Sequence, residues 1–258
     1  MIEIQALSRH FGDITAVDQV TLHVPAGQIC GYLGPNGAGK TTTVRMLTGL
    51  LPPTGGTATV GGYSIASSLV EVKRRIGVVP ESGALYQSLT PDEYLTFVGH
   101  LHHLDNRTID RRLSEFLDFF QLTAHRNQRM TSFSKGMKQK VVIIAALLHN
   151  PDVLFLDEPL NGLDANAALL LKRLIQNLAR DGKTVFYCSH ILDVVENLCD
   201  RIVIINQGRL VADGSVAELK EMTSRPSLEA VFSELTQKED LDDLADTFSR
   251  KFRNGDTR

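Results

Sequence analysis

Residues 34–42, GPNGAGKTT, set three glycines, one lysine and two threonines in an order suited to holding phosphate. Gly34, Gly37 and Gly39 let the backbone wrap closely enough for its N–H groups to point at phosphate oxygens, and Lys40 adds positive charge at the outer phosphates. Thr41 is placed to offer a hydroxyl to Mg²⁺. About 120 residues on, VLFLDEP (153–159) delivers two carboxylates from the end of an apolar run. Asp157 suits Mg²⁺, a hard cation that prefers oxygen and water, and Glu158 suits the orienting and deprotonation of an attacking water. Between them, TSFSKGMKQKVV (131–142) opens an apolar helix with a serine, a glycine and lysines. A helix start of that kind offers a hydroxyl, free N–H groups and a positive dipole end to an anion. The chain therefore carries two phosphate cradles and one set of hydrolytic carboxylates.

These groups need a scaffold. QICGYL before the first cradle and TTVRMLTGL after it predict a strand, a loop and a helix. With VLFL, TVFYCS and RIVII, QICGYL has the short, wholly apolar character of strands buried on both faces of a parallel sheet. Residues 2–33 read as short strands broken by the turns HFGD and VPAG, and after residue 40 helix and strand alternate. From about 82 to 150 the strands give way to helices. TPDEYLTFVGHL starts one with Thr90 as cap, Pro91 in the first turn and Glu93 completing a capping box. TIDRRLSEFLDFFQL makes another, with Ile109, Leu113, Phe116, Leu117 and Phe120 on one face. The third runs from about Ser134 to His149, apolar nearly all round. INQGRLVADG predicts a hairpin turning at Gln207 and Gly208. Residues 236–258 predict a charged helical tail with Leu241, Leu244, Phe248 and Phe252 in a stripe, either folded back on its own domain or binding a partner.

Composition narrows the classes. The 258 residues are 43% hydrophobic and carry a formal charge of −3 with the signs interspersed, so there is no basic stripe for nucleic acid. Cys30, Cys188 and Cys199 read as reduced packing residues. The start, MIEIQALSRHFG, lacks a basic-then-apolar leader pattern. The longest apolar run, VVIIAALL (141–148), is far short of the roughly 20 residues that span a bilayer, so any membrane span is expected from a partner. His100, His102 and His103 in GHLHHL lack the cysteines or carboxylates that would make a metal site. In ESGALYQSLT, Leu85, Tyr86 and Leu89 are expected at the surface, where they either dock a partner helix or pack locally.

With the phosphate loop, SFSKGMKQK and VLFLDEP in this order, the chain resembles the nucleotide-binding domain of ABC (ATP-binding cassette) ATPases over residues 1 to about 235. The resemblance implies an α/β fold: a P-loop NTPase (RecA-like) core, an N-terminal antiparallel β subdomain and an inserted α-helical subdomain. It implies that ATP is held by Gly34, Pro35, Asn36, Gly37, Ala38, Gly39, Lys40, Thr41 and Thr42, with Phe11 stacked on adenine. Mg²⁺ is held by Thr41, Asp157 and Glu81, Glu158 is the base, and His190 after FYCS is the switch histidine. NGLD (161–164) looks like the loop that crosses to a partner subunit, with Asp164 its acidic member. Ser134, Lys135, Gly136 and Met137 form the signature, which in this family caps the ATP held by the other subunit. The second cradle then serves a neighbour.

Three positions depart from the family's commonest pattern. Lys135 and Met137 replace a glycine and a glutamine of the signature, and Glu81 stands where a glutamine is usual. Lys135 either reaches a phosphate or ribose oxygen or is solvated. These departures, LGPNGAGKTTT and the late SLEAVFSEL look like the export branch, which includes drug, antibiotic and sodium exporters. That branch implies a homodimer beneath a separately encoded transmembrane permease, peripheral on the cytoplasmic face of the plasma membrane. An ABC ATPase that remodels a ribosome or DNA usually carries two fused cassettes or a long coiled coil, whereas this chain has one P-loop and no sustained heptads. A P-loop kinase would leave the signature and His190 without a task.

Overall fold

The computed structural model describes residues 1–82 and 85–236. In chain order the strands are β1 (Ile2–Phe11), β2 (Ile14–Val24), β3 (Ile29–Leu33), β4 (Gly55–Val60), β5 (Tyr63–Ser64), β6 (Ile76–Val79), β7 (Val153–Asp157), β8 (Thr184–Cys188), β9 (Arg201–Asn206) and β10 (Arg209–Gly214). The α-helices are α1 (Lys40–Leu47), α2 (Leu69–Arg75), α3 (Pro91–Leu101), α4 (Asn106–Phe119), α5 (Lys135–Leu147), α6 (Ala165–Arg180), α7 (Leu192–Leu198), α8 (Val216–Thr223) and α9 (Leu228–Thr236). Six strands form one sheet in the order β10-β9-β3-β8-β7-β6, parallel except for the β9–β10 hairpin. Its interior strands are the apolar runs expected to lie there.

Period-2 alternation divides the side chains of this sheet between two cores. Ile29, Leu154, Leu156, Val185 and Tyr187 pack on the face covered by α5, α6, α7 and α9. Cys30, Tyr32, Phe155, Phe186 and Cys188 pack on the other, against β1, β2, β4 and α1. A strand with both faces covered has no position where a polar side chain reaches water, which explains the unbroken apolar runs. Burial pushes the Cys30 thiol up to about 12, so it stays a neutral packing group.

The second sheet, ordered β2-β1-β4-β5, is antiparallel. Here the expectation of short N-terminal strands is corrected. β1 and β2 run 10 and 11 residues and stay paired through register shifts at Ile4/Leu7, Leu7/Arg9 and Arg9/His10. The alternation expected after residue 40 also breaks at β4, which leaves α1 and pairs antiparallel with β1, Ile2 facing Val60. Its TATV segment buries only Ala58 and Val60, the half-buried pattern of a sheet with one covered face.

Between β6 and β7 the chain makes the helical insertion. Thr90 accepts from Glu93 N–H, and the Glu93 carboxylate accepts from Thr90 N–H, completing the box. Ile109, Leu113 and Leu117 of α4 are buried, and Phe120 closes the stripe as the helix C-cap. α5 buries Val141, Val142, Ile143 and Ile144 and stops just before Asn150 and Pro151. Of Leu85, Tyr86 and Leu89, Tyr86 is at the surface, 64% exposed, while Leu85 and Leu89 are half-buried against the helical core, the local-packing alternative. Met130 N–H donates to the Leu89 carbonyl and draws that segment inward. Among the described residues no helix is long and apolar enough to cross a membrane. Leu241, Leu244, Phe248 and Phe252 lie outside the described residues.

Candidate functional site

β3 ends at Leu33, and the chain turns through residues 34–39 into α1. Gly39 is the N-cap of α1 with φ 110, and a Cβ there would land on the Ala16 carbonyl oxygen, so only glycine fits both the dihedral and the space. Three further bonds fix the loop: Ala38 N–H to the Pro35 carbonyl (3.1 Å), Thr43 N–H to the Gly39 carbonyl (2.9 Å) and Gly208 N–H to the Ala38 carbonyl (2.9 Å). Lys40 Nζ donates to the carbonyls of Gly34 (2.6 Å) and Pro35 (3.1 Å), which holds the ammonium across the loop mouth. No acidic residue sits in the first turn of α1, so none of the helix's own side chains opposes its positive dipole end at the cleft.

β7 brings the carboxylates to this loop. Thr41 Oγ1 donates to Asp157 Oδ2 at 3.2 Å, joining the two Mg²⁺ candidates across the cleft. Burial raises the Asp157 pKa from 3.8 to about 6; the Thr41 hydrogen bond opposes this, the Glu81 and Glu158 charges add to it, and Lys40 opposes it. A hydroxyl and carboxylates crowded this way form a hard-oxygen donor set with an excess of negative charge, which fits Mg²⁺. Among the described residues no three His, Cys, Asp or Glu side chains form a metal cluster of their own. Mg²⁺ commonly takes one or two carboxylates and completes its shell with phosphate and water.

The raised pKa predicts a pH signature. Because the folded value lies above 3.8, the folded state holds this proton more tightly, so stability falls as pH rises from about 4 to about 6 and the loss persists above that. Asp157→Asn, without nucleotide or Mg²⁺, is expected to raise the unfolding free energy at pH 7.5 by roughly 2 to 3 kcal/mol relative to the parent. The gain should disappear near pH 4 in urea titrations. Equal gains at both pH values would remove Asp157 ionisation as the cause.

Glu158 follows Asp157 in the left-handed region, φ 49, an uncommon and strained state for this residue. The bend turns its carboxylate onto three donors: Ser189 Oγ (3.0 Å), His190 N–H (2.8 Å) and His190 Nδ1 (2.6 Å). Glu158 is 7% exposed, while most of the His190 ring faces solvent. The two residues therefore hold each other in one pose at the cleft wall.

The cleft has a volume of about 560 Å³ and gathers Gly34, Pro35, Asn36, Gly37, Gly39, Lys40, Thr41, Thr42, Glu81, Asp157, Glu158 and His190. Ala38 does not line it; its methyl group is buried beneath the loop. Phe11 does not line it either. The ring is 45% exposed at the end of β1, with the Arg9 guanidinium 4.6 Å from its centroid. Two lining residues, Ala16 and Phe232, were not anticipated. Ala16 carries no side-chain signal, and Phe232 looks like any apolar position of an amphipathic helix.

Ser134, Lys135, Gly136, Met137 and Asp164 stand apart from this cleft. Ser134 caps α5, accepting from Met137 N–H at 3.2 Å. A Cβ on Gly136 would strike the Gly162 carbonyl oxygen, so the signature helix and the NGLD loop touch backbone to backbone. Asp164 caps α6 through Ala167 N–H (2.9 Å) and faces Lys140 Nζ at 3.7 Å; Gln139 Nε2 donates to the Pro159 carbonyl (3.1 Å). The exposed Lys135 lays its aliphatic stem beside Gly162. Signature and loop thus form one unit. Of the histidines, His100 Nε2 bonds Asn106 Oδ1 (2.8 Å), and His102 stacks on His149 at 3.6 Å.

Comparison with known proteins agrees with this geometry. Residues 17–161 match the profile of the ABC transporter family. The chain is 39% identical to the ABC transporter ATP-binding protein NatA of Bacillus subtilis, over 90% of this chain and 96% of that protein. It is 35% identical to a Nod factor export ATP-binding protein I of Cupriavidus pinatubonensis, over 85% of this chain and 67% of that protein. A solved ATP-binding subunit of an ABC transporter superposes with a TM-score of 0.87 at 33% identity, covering 92% of this chain and all of that one. A loop suited to phosphate, a Mg²⁺-suited carboxylate and a glutamate held against His190 stand on a scaffold shared with these proteins, and the chain belongs to the ABC transporter family, as an ATPase of the cassette type.

Proposed function

We propose that the protein powers a membrane exporter as a head-to-tail homodimer, with two ATP molecules held between the copies. The observation that carries this is the location of Ser134 and Gly136. They form an anion-suited helix start outside their own chain's cleft, locked to the Asp164 loop. In a head-to-tail pair each such unit closes over the partner's P-loop, so ATP binding supplies the contacts that draw two copies together. The chemistry then falls to residues on this page. Lys40 and the loop N–H groups orient the triphosphate, Glu158 accepts a proton from the attacking water, and His190 Nδ1 shifts from Glu158 as the γ-phosphate takes its place. Mg²⁺, held by Thr41, Asp157 and Glu81, supplies charge neutralisation on the phosphates.

ATPase activity per subunit should therefore rise with protein concentration, and Ser134→Arg, which places a bulky cation at the helix start, should lower it at least tenfold without changing nucleotide affinity. Full activity per subunit at every dilution would end the pairing scheme.

Export is supported by the likeness to the Nod factor export protein. A docking surface supports a separately encoded permease. A groove of about 420 Å³ lies between β6 and helices α3 and α5, lined by Val78, Tyr94, Val98, Ala145 and Ala146. Tyr86, 64% exposed, sits beside Tyr94 and the 45% exposed Phe97 at its rim. Burial pushes the His149 pKa down to about 4, which keeps its imidazole neutral at neutral pH and leaves Lys73 as the charged side chain of the groove lining. Such a groove suits a short apolar helix presented at the cytoplasmic face of the membrane. Tyr86→Ala with Phe97→Ala should keep ATPase activity in solution and lose most co-sedimentation with permease-bearing membranes; unchanged sedimentation would remove this groove from the scheme.

A further inference from the structure

Thirteen of the fourteen residues around the cleft come from the chain before residue 191; the remaining one is Phe232 on α9. This helix is firmly seated. Leu228 and Val231 are fully buried, and Asn206 Nδ2 donates to the carbonyls of Leu235 (3.3 Å) and Thr236 (3.5 Å) at its last turn. Asn206 immediately precedes the turn at Gln207 and Gly208, and Gly208 N–H donates to the Ala38 carbonyl in the phosphate loop. α9 also packs on α7, which starts two residues after His190. A short run of bonded and packed groups thus joins α9 to both sides of the cleft. Phe232 itself is only partly buried: it packs on the core and shows its remaining surface to the cleft, where it is the only aromatic ring besides the His190 imidazole among the lining residues.

We propose that Phe232 is a wall of the nucleotide site that bound nucleotide covers, so that α9 belongs to the ATP site and senses its occupancy. This rests on reading the cleft as an ATP site. An apolar ring open to water gains by being covered, and a ligand that covers it gains the same free energy.

The chain contains no tryptophan, so Phe232→Trp is a single fluorescent reporter. In a Ser134→Arg background, where pairing is blocked, Mg·ATP is expected to shift its emission and to protect it from acrylamide, with the same midpoint as binding followed by calorimetry. Phe232→Ala should weaken binding about five- to tenfold, and Phe232→Leu should recover most of that loss. A signal seen only when pairing is allowed would mean that the partner subunit covers the ring and would overturn the inference. A silent tryptophan while calorimetry reports bound nucleotide, or Phe232→Ala binding within twofold of the parent, would overturn it and leave the ATP-site reading standing. If the parent protein itself binds no ATP, both fall together.

Discussion

Glu158→Gln is expected to lower the ATP turnover number by about two to three orders of magnitude while leaving ATP affinity nearly unchanged, the scale of losing a positioned general base. The side chain is nearly isosteric, and its backbone strain and position at the strand end are retained. What is lost is the negative charge and the capacity to take a proton. The amide oxygen can keep both His190 donors, and the amide nitrogen can donate to Ser189 Oγ, a hydroxyl that also accepts, so the pose is retained without the charge. Because binding persists and hydrolysis does not, the ATP-bound pair should accumulate and elute as a dimer on size exclusion. Turnover within threefold of the parent would show that another group activates the water. A variant that binds ATP and stays monomeric would separate binding from pairing.

Lys40→Ala should abolish measurable ATP binding, weakening it at least a hundredfold by calorimetry. The ammonium now spans the Gly34 and Pro35 carbonyls, and its charge is the nearest counterweight to the cluster of Asp157, Glu158 and Glu81. Charge-assisted hydrogen bonds contribute about 1.5 to 3 kcal/mol each, so losing two on the phosphates amounts to roughly two orders of magnitude or more. A second effect runs the same way: without Lys40 the carboxylates face an incoming triphosphate with less positive charge nearby. Lys40→Arg should recover little, because the planar guanidinium does not fit where a compact ammonium bridges two carbonyls. Hydrolysis above a tenth of the parent rate in Lys40→Ala would remove the lysine from its role.

The amino-acid sequence by itself determined whatever depends on neighbours a few residues apart. The P-loop could be read because its glycine dihedrals, its lysine and the start of α1 lie within one short segment. The Thr90 capping box, the Ser134 cap, the stripe of α4 and the turn at Gln207 and Gly208 are local in the same sense, and each formed where its pattern stands. Tertiary structure decided whatever joins distant segments. β4 pairs with β1 because the open edge of β1 presents unpaired backbone N–H and C=O groups, and nothing within residues 55–60 names that partner. Leu85 and Leu89 turned inward once a helical core stood beside them. Gly136 reads from sequence as an anion-facing glycine, yet its lack of a side chain is also demanded by the Gly162 carbonyl. Glu158 and His190 were each legible, but their bond was not, because it depends on adjacent parallel strands delivering both to one end of the sheet. Phe232 shows the limit most clearly: an apolar residue on a helix carries no mark of the cleft it lines, and only the packing of α9 on α7 and β9 puts it there.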